Sequence, residues 1–333
     1  MKSDFLDTPE SGFAIEVLRA GSRLASQVRA ESNLTVHCKE DNSPVTVADM
    51  GIQAVAGKFI EKYFPAVALV AEENTAGLRK PDENARLEEI VRHVKRLIPE
   101  ADPAAVCTWI DRGGGEAGEL FWTLDPIDGT KGYLRGDQYV TALALIRKGR
   151  VEFSALGCPE LLLACHEKLG KGVMLLSSRG KGCWASSLEA DTPWEKLSVS
   201  RCEDIKKARI LDSCDPGHKN AEKNAMIKRL LGSHHDPIGM DSQAKHATLA
   251  AGGAEIFFRT LPEHDLSCRE KIWDVAPGAF AIEEAGGRVT DLNGNPIDYA
   301  AGNILKNNPG FVATNGFLHE KVVAAIRETV FPK

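Results

Sequence analysis

Apolar residues recur through the first part of the chain at helical spacing. Phe13, Val17, Leu24 and Val28 fall on one face, and Ser11 stands where a cap would, so the pattern predicts a packing helix over 11–30. A second stripe, Ile52, Val55, Phe59, Ile60 and Tyr63, predicts a helix from about Thr46 to Tyr63, with Thr46 as its cap and Asp49 in its first turn. The period then changes. Val67-Ala-Leu-Val-Ala71 is an apolar run of strand length that ends abruptly in Glu72-Glu73. Residues 80–106 are charged, and Leu87, Ile90, Val91, Val94 and Leu97 mark the inner face of a helix followed by a surface loop. Glu119 to Leu124 reads as a strand, and Val140–Ile146, Lys148-Gly149-Arg150 and Val151–Leu156 read as a hairpin.

Beyond residue 160 the apolar runs shorten and glycines multiply. Helices are expected near 220–231, 242–251, 275–285 and 316–330, with a strand over 287–290. An antiparallel element mixed with helices and no internal repeat makes the fold class α+β. The length of 333 residues fits one large domain or two packed lobes. The change of texture divides the chain into an N-terminal α+β lobe over 1–158 and a C-terminal α/β lobe over 159–333. Two motifs fail their specific readings. Asp111-Arg-Gly-Gly-Gly115 lacks the lysine and hydroxyl of a phosphate loop, and Asp291-Leu-Asn-Gly-Asn295 is followed by Pro296 where a calcium loop needs glycine, so both are expected to be turns.

Composition narrows the partners. Lys and Arg total 41 against 47 Asp and Glu, for a net charge of −6, and no basic block offers a stripe for a phosphate backbone. A nucleic-acid polymer is not an expected partner. The N-terminus has no apolar signal core, and no run approaches the roughly 18 apolar residues of a membrane span, so a soluble, cytoplasmic protein with no membrane partner is expected. Eight cysteines without a C-x-x-C pair suit a reduced compartment better than a disulfide framework or zinc site.

The candidate chemistry lies in acids at the ends of apolar elements. Trp122-Thr-Leu-Asp125-Pro-Ile-Asp128-Gly-Thr130 delivers two carboxylates from one apolar segment, with Pro126 and Gly129 bending the backbone. Asp49, Glu72 and Asp274, the last in Lys271-Ile-Trp-Asp-Val-Ala-Pro-Gly278, stand at comparable junctions. Each alone has a plain explanation: Asp274 suits a helix N-cap and Asp49 complements a helix dipole. Converging, they would need cations, because two like charges about 4 Å apart cost about 4 kcal/mol at an effective dielectric of about 20. An all-oxygen set without His or Cys points to Mg²⁺ or Mn²⁺.

Four separated segments, Ser43-Pro-Val-Thr-Val-Ala-Asp49, Ala71-Glu-Glu73, Trp122 to Thr130 and Trp273-Asp-Val-Ala-Pro-Gly278, resemble in order the pattern of the inositol monophosphatase superfamily of metal-dependent, lithium-sensitive phosphatases. Pro277 departs from it, where a small residue is usual; a proline is tolerated in a first helical turn. The resemblance implies a layered αβαβα sandwich. It implies two or three Mg²⁺ ions, with Mn²⁺ able to substitute, held by Glu72, Asp125, Asp128, Asp274 and the Ile127 carbonyl. Asp49 and Thr130 would orient and deprotonate the attacking water, and Glu73 would lie just behind the ligands.

Within the superfamily, Asp241-Ser242-Gln-Ala-Lys245, Glu270-Lys-Ile-Trp-Asp274 and the segment ending at Arg259 resemble the 3′(2′),5′-bisphosphate nucleotidases. That resemblance implies hydrolysis of the 3′-phosphate of 3′-phosphoadenosine 5′-phosphate, giving AMP, and leaves use of the 5′-phosphosulfate analogue open. Gly129 and Thr130 would contact the substrate, and His218, Ser242, Lys245 and Arg259 the nucleotide and its second phosphate. A monomer acting on a small nucleotide bisphosphate is expected. An inositol polyphosphate 1-phosphatase or inositol monophosphatase is the alternative, and a non-catalytic nucleotide sensor a more distant one.

Overall fold

The computed structural model describes residues 4–31, 37–38, 44–80, 83–214, 221–260, 269–308 and 310–331. Strand alternation organises its interior. In β5 (Val140–Arg147), Val140, Ala142, Ala144 and Ile146 enter one core while Leu143 and Leu145 enter another, as a side-chain period of two requires. Both faces of this strand are therefore covered, which is why it reads as an unbroken apolar run.

The first sheet has seven strands in chain order: β3 (Ala68–Ala71), β4 (Leu120–Asp128), β5, β6 (Arg150–Leu162), β7 (Lys171–Ser178), β8 (Gly182–Ser187) and β9 (Glu195–Lys196). β3 and β4 are parallel and the later neighbours antiparallel. The expected lobe division at residues 158 and 159 falls within β6. The second sheet runs β11 (Ile238–Met240), β10 (Ile210–Ser213), β12 (Ile256–Thr260), β14 (Gly310–Thr314), β13 (Arg288–Asp291). β1 (His37–Cys38) and β2 (Pro44–Val45) pair separately.

Helices fill the layers around the sheets. α1 (Pro9–Glu31) and α2 (Val47–Tyr63) bring Phe13, Val17 and Ile60 onto Trp122, Leu143 and Leu145, on the outer face of the first sheet. α7 (Ala244–Ala250) and α8 (Ile272–Glu284) lie between the sheets, joining Ala244, Ala276 and Phe280 to Val140 and Ala142 on one side and Phe257 and Phe311 on the other. α6 (Ala221–Leu231) and α9 (His319–Val330) close the far side through Ile227, Val322 and Ile326 against Phe258 and Val312. The result is the five-layer αβαβα sandwich of an α+β protein.

Three local expectations need correction. Ser11 does not cap α1, which starts at Pro9; it lies buried inside the helix and donates to the Phe5 carbonyl at 2.7 Å. The loop expected after the 84–95 helix contains a further helix, α4 (Pro103–Asp111), with Asp102 accepting from the Ala105 N–H at 2.8 Å and Pro103 in the first turn. That is a proper start signal, hidden behind the charged stretch before it. Asp274 is not the N-cap of α8 but its third residue, and its Oδ2 accepts from the Lys271 N–H at 3.3 Å. The segment 291–295 is a turn as expected, with Asp291 Oδ1 accepting from Asn293 and Asn295 N–H.

Since α8 starts at Ile272, Pro277 sits in its second turn rather than its first. A proline there cannot donate to the carbonyl four residues earlier, that of Trp273. Gln243, just ahead of α7, repairs the break. Its Nε2 donates to the Trp273 carbonyl at 3.0 Å and its Oε1 accepts from the Gly278 N–H at 2.8 Å. Gly278 is obligatory for this approach, because a Cβ there would lie 2.5 Å from the His246 ring. Replacing Gln243 with Leu strands two buried backbone groups, and we expect a loss of about 3 kcal/mol in urea unfolding; a loss within error of zero would refute the repair.

Candidate active site

Four element ends meet where the acids stand. Thr46 caps α2, its hydroxyl accepting from the Ala48 N–H at 3.1 Å, while its own N–H donates to Asp49 Oδ2 at 2.8 Å. This reciprocal cap fixes the buried Asp49 carboxylate, 1 % exposed, in the first turn. Glu72 and Glu73 follow directly on β3. Their backbone is held by Gln53, fully buried in α2, which donates to the Glu73 carbonyl at 2.6 Å and accepts from the Glu73 N–H at 2.9 Å.

β4 continues through both acids of its motif, with an irregularity between Asp125 and Asp128 where pairing to β5 slips. The Pro126 carbonyl released there accepts from Thr141 Oγ1 at 2.9 Å. Gly129, at φ 87, turns the chain into α5 (Thr130–Arg135). A Cβ on Gly129 would lie 2.8 Å from Ser242 Cβ, so only glycine lets the two halves of the site close. Thr130 Oγ1 donates to the Ile127 carbonyl at 3.1 Å and lies 3.4 Å from Asp49 Oδ1. Ser242, itself at φ 57, accepts from the Ala244 N–H at 3.2 Å at the start of α7. The neighbouring Gln243 N–H donates to Asp128 Oδ2.

The electrostatics show how the acids share one space. Burial pushes the Asp125 carboxyl well above the usual range, and the charges of Glu72, Asp128, Asp274 and Asp49 push it further. Asp274 is raised by burial and then by Glu270, Asp128 and Glu72, with Arg259 opposing. Asp128 is raised by burial, against the pull of Lys245, the Gln243 bonds and Arg259. Asp125 Oδ1 is buried with no hydrogen-bond partner among the described residues. An orphaned carboxylate oxygen among raised acids is what a hard cation would satisfy, and the all-oxygen donor set suits one. Among the described residues no three such side chains stand tightly enough, as they are, to hold an ion.

The opposite wall is cationic. Lys245 is 6 % exposed; its Nζ donates to the Met240 carbonyl at 3.1 Å and lies 5.2 Å from the centre of the Phe257 ring. Burial lowers its pKa to about 8, with Asp128 opposing and Arg259 adding to the fall. Arg259, on β12, pairs with the buried Glu270 at 2.6 Å. Thus Asp49, Glu72, Asp125, Asp128, Thr130 and Asp274 ring one side, and Ser242, Lys245 and Arg259 the other; His218 lies outside the described residues. Sequence reasoning assigned no role to Gln53, Gln243 or Glu270. Gln53 could have been found as an amide on the buried side of α2, and the other two stood unassigned inside quoted motifs.

Among the described residues no helix is long and apolar enough to cross a membrane. The sequence matches the profile of the inositol monophosphatase family over residues 11–330. It is 36 % identical over 339 residues to the 3′(2′),5′-bisphosphate nucleotidase of Schizosaccharomyces pombe, covering 95 % of this chain and 94 % of the relative. It is 37 % identical over 314 residues to the 3′(2′),5′-bisphosphate nucleotidase of Oryza sativa, covering 89 % and 87 %. In structure it is similar to an inositol monophosphatase of Thermotoga maritima, with a TM-score of 0.68, 21 % identity and coverage of 97 % and 98 %. An inositol monophosphatase from Anabaena gives a TM-score of 0.60 at 17 % identity, with 96 % and 95 % covered. With its layered fold, its acid ring and a profile match over nearly its whole length, this chain belongs to the inositol monophosphatase family.

Proposed function

We propose that this protein is a Mg²⁺-dependent 3′(2′),5′-bisphosphate nucleotidase that converts 3′-phosphoadenosine 5′-phosphate to AMP and phosphate. One observation carries the reading: a ring of buried and half-buried acids faces two cations, the buried Lys245 and the half-buried Arg259, across the Gly129–Ser242 seam. One side suits the phosphate to be cleaved and the other a second phosphate that stays on the product. An inositol monophosphate has nothing to offer the second wall. The relatives named 3′(2′),5′-bisphosphate nucleotidase support the same choice. The 5′-phosphosulfate analogue presents the same 3′-phosphate, and we include it as a second substrate. We include action as a monomer in the proposal.

Glu72, Asp125, Asp128, Asp274 and the Ile127 carbonyl would hold the ions. When bound, two or three Mg²⁺ ions, with Mn²⁺ as a substitute, supply neutralisation of phosphate charge and a lower pKa for water. The chain's own residues do the rest. Asp49 Oδ2 is engaged by Thr46, which leaves Oδ1 facing the Thr130 hydroxyl. A water beside Thr130 can pass its proton to Oγ1 as the hydroxyl proton moves to Asp49 Oδ1. The oxygen then attacks phosphorus in line, and the ribose 3′-oxygen leaves with the electron pair of the broken P–O bond and takes up a proton from solvent water, to which Asp49 afterwards returns the one it accepted. Glu73, clamped by Gln53, would hold the Glu72 backbone in place.

Two experiments test the reading. Phosphate release from 3′-phosphoadenosine 5′-phosphate, inositol 1,4-bisphosphate and inositol 1-phosphate should strongly favour the nucleotide, require Mg²⁺ and fall with lithium. Asp128→Asn should remove turnover while circular dichroism stays native; preference for an inositol phosphate, or normal activity in the variant, would overturn the proposal. The second is pH dependence. Lys245 serves as a cation, and its charge is lost as pH rises through about 8. The kcat/KM for the bisphosphate should therefore fall above that pH, and Lys245→Met should start low and lack that limb; an unchanged limb in the variant would remove Lys245 from the pocket.

A further inference from the structure

We infer that Glu270, assigned no part in ion binding or water activation, is the positioning residue that makes the site discriminate for substrates with a second phosphate; the inference rests on the bisphosphate reading above. Glu270 is 3 % exposed, and the side chain of its partner Arg259 is 28 % exposed. A buried carboxylate thus anchors a guanidinium that reaches toward the open side. The contact runs through Arg259 Nε, 2.6 Å from Glu270 Oε1. Neither atom has a hydrogen-bond partner among the described residues, so the attraction is chiefly one of charge. Engaging the lateral nitrogen leaves the end fork, Nη1 and Nη2, for a ligand, and that fork matches two oxygens of one phosphate.

Charge balance gives an independent reason. Arg259 is close enough to Lys245 to disfavour the lysine's charge, which burial also disfavours. Glu270 lies within electrostatic reach of both cations. Without it the two like charges would repel, and the longer and more exposed Arg259 is the one free to turn outward. Glu270 cannot readily follow, because its carbonyl accepts from the Leu305 N–H at 2.9 Å and the next residue, Lys271, bridges to Ile304. It is anchored four residues before Asp274, on the segment that leads into α8.

The test compares kcat/KM for 3′-phosphoadenosine 5′-phosphate with that for adenosine 3′-phosphate in wild type, Glu270→Gln, Arg259→Ala and the double variant. Glu270→Gln should lower the ratio about tenfold, through KM for the bisphosphate, and add nothing in the Arg259→Ala background. Calorimetric affinity for AMP, which needs no turnover, should weaken to a similar extent. An unchanged ratio, or an equal further loss without Arg259, would overturn the inference. Should Glu270→Gln fail to fold, Arg259→Lys carries the test. It keeps the charge but not the fork, and a ratio equal to wild type would refute the positioning role. A wild-type enzyme with no preference for the bisphosphate overturns the nucleotidase reading and the inference with it, whereas a preference that survives in Glu270→Gln overturns the inference alone.

Discussion

Mutual repulsion among buried carboxylates is the constraint around which this protein is built. Burial disfavours the charged forms of Asp125 and Asp274, and the charges of Glu72 and Asp128 add to the cost for both. Such a group survives only if the scaffold forbids its members to swing apart. Each acid is therefore held by its backbone or its carboxylate: Asp49 by the Thr46 cap, the Glu72–Glu73 junction by Gln53, Asp125 by the pairing of β4 with Ala142 on β5, Asp128 by the Gln243 N–H, Asp274 by Lys271. The stability spent on keeping like charges together would be recovered on binding of the proposed cations and phosphate.

The layered architecture suits that purpose. Parallel β3 and β4 deliver their acids at the same end of the first sheet. Helix starts at α2 and α8 add Asp49 and Asp274 with backbone N–H groups beside them. The second sheet supplies the cationic wall through β12 and the β11–α7 junction. Gln243 spans the seam, touching Asp128 through its backbone and α8 through its side chain. The acidic and cationic walls are consequently one mechanical unit.

Much of this was legible in the chain. The stripes of α1 and α2, the apolar runs of β3 and β5, the Lys148–Gly149 turn and the acids at element ends all follow from local pattern, and local pattern survived packing. What was not legible depended on contacts between distant residues. Ser11 looked like a cap because its partner, the Phe5 carbonyl, precedes the apolar stripe. Pro277 looked like a first-turn proline because the start of α8 is set by a cap residue, Lys271, with no capping signature. Gln53, Gln243 and Glu270 gain their meaning only from partners 20, 30 and 11 residues away, at Glu73, Trp273 and Arg259. The same holds for Gly129, whose closeness to Ser242 no spacing rule reveals.

The helix between the sheets has a consequence for how the protein comes into being. α8 is buried along most of its length, with Ile272, Trp273, Val275, Ala276, Phe280 and Ile282 all shielded. It carries the last of the acids, and the partners it packs against include Phe311 and Ala313, later still in the chain. On a ribosome, four of the five acids and the entire first sheet would emerge long before α8 has anywhere to lodge. The five acids would therefore be gathered only when synthesis is almost finished, and a chain cut short just before β14 would carry all five without the strand that α8 packs against.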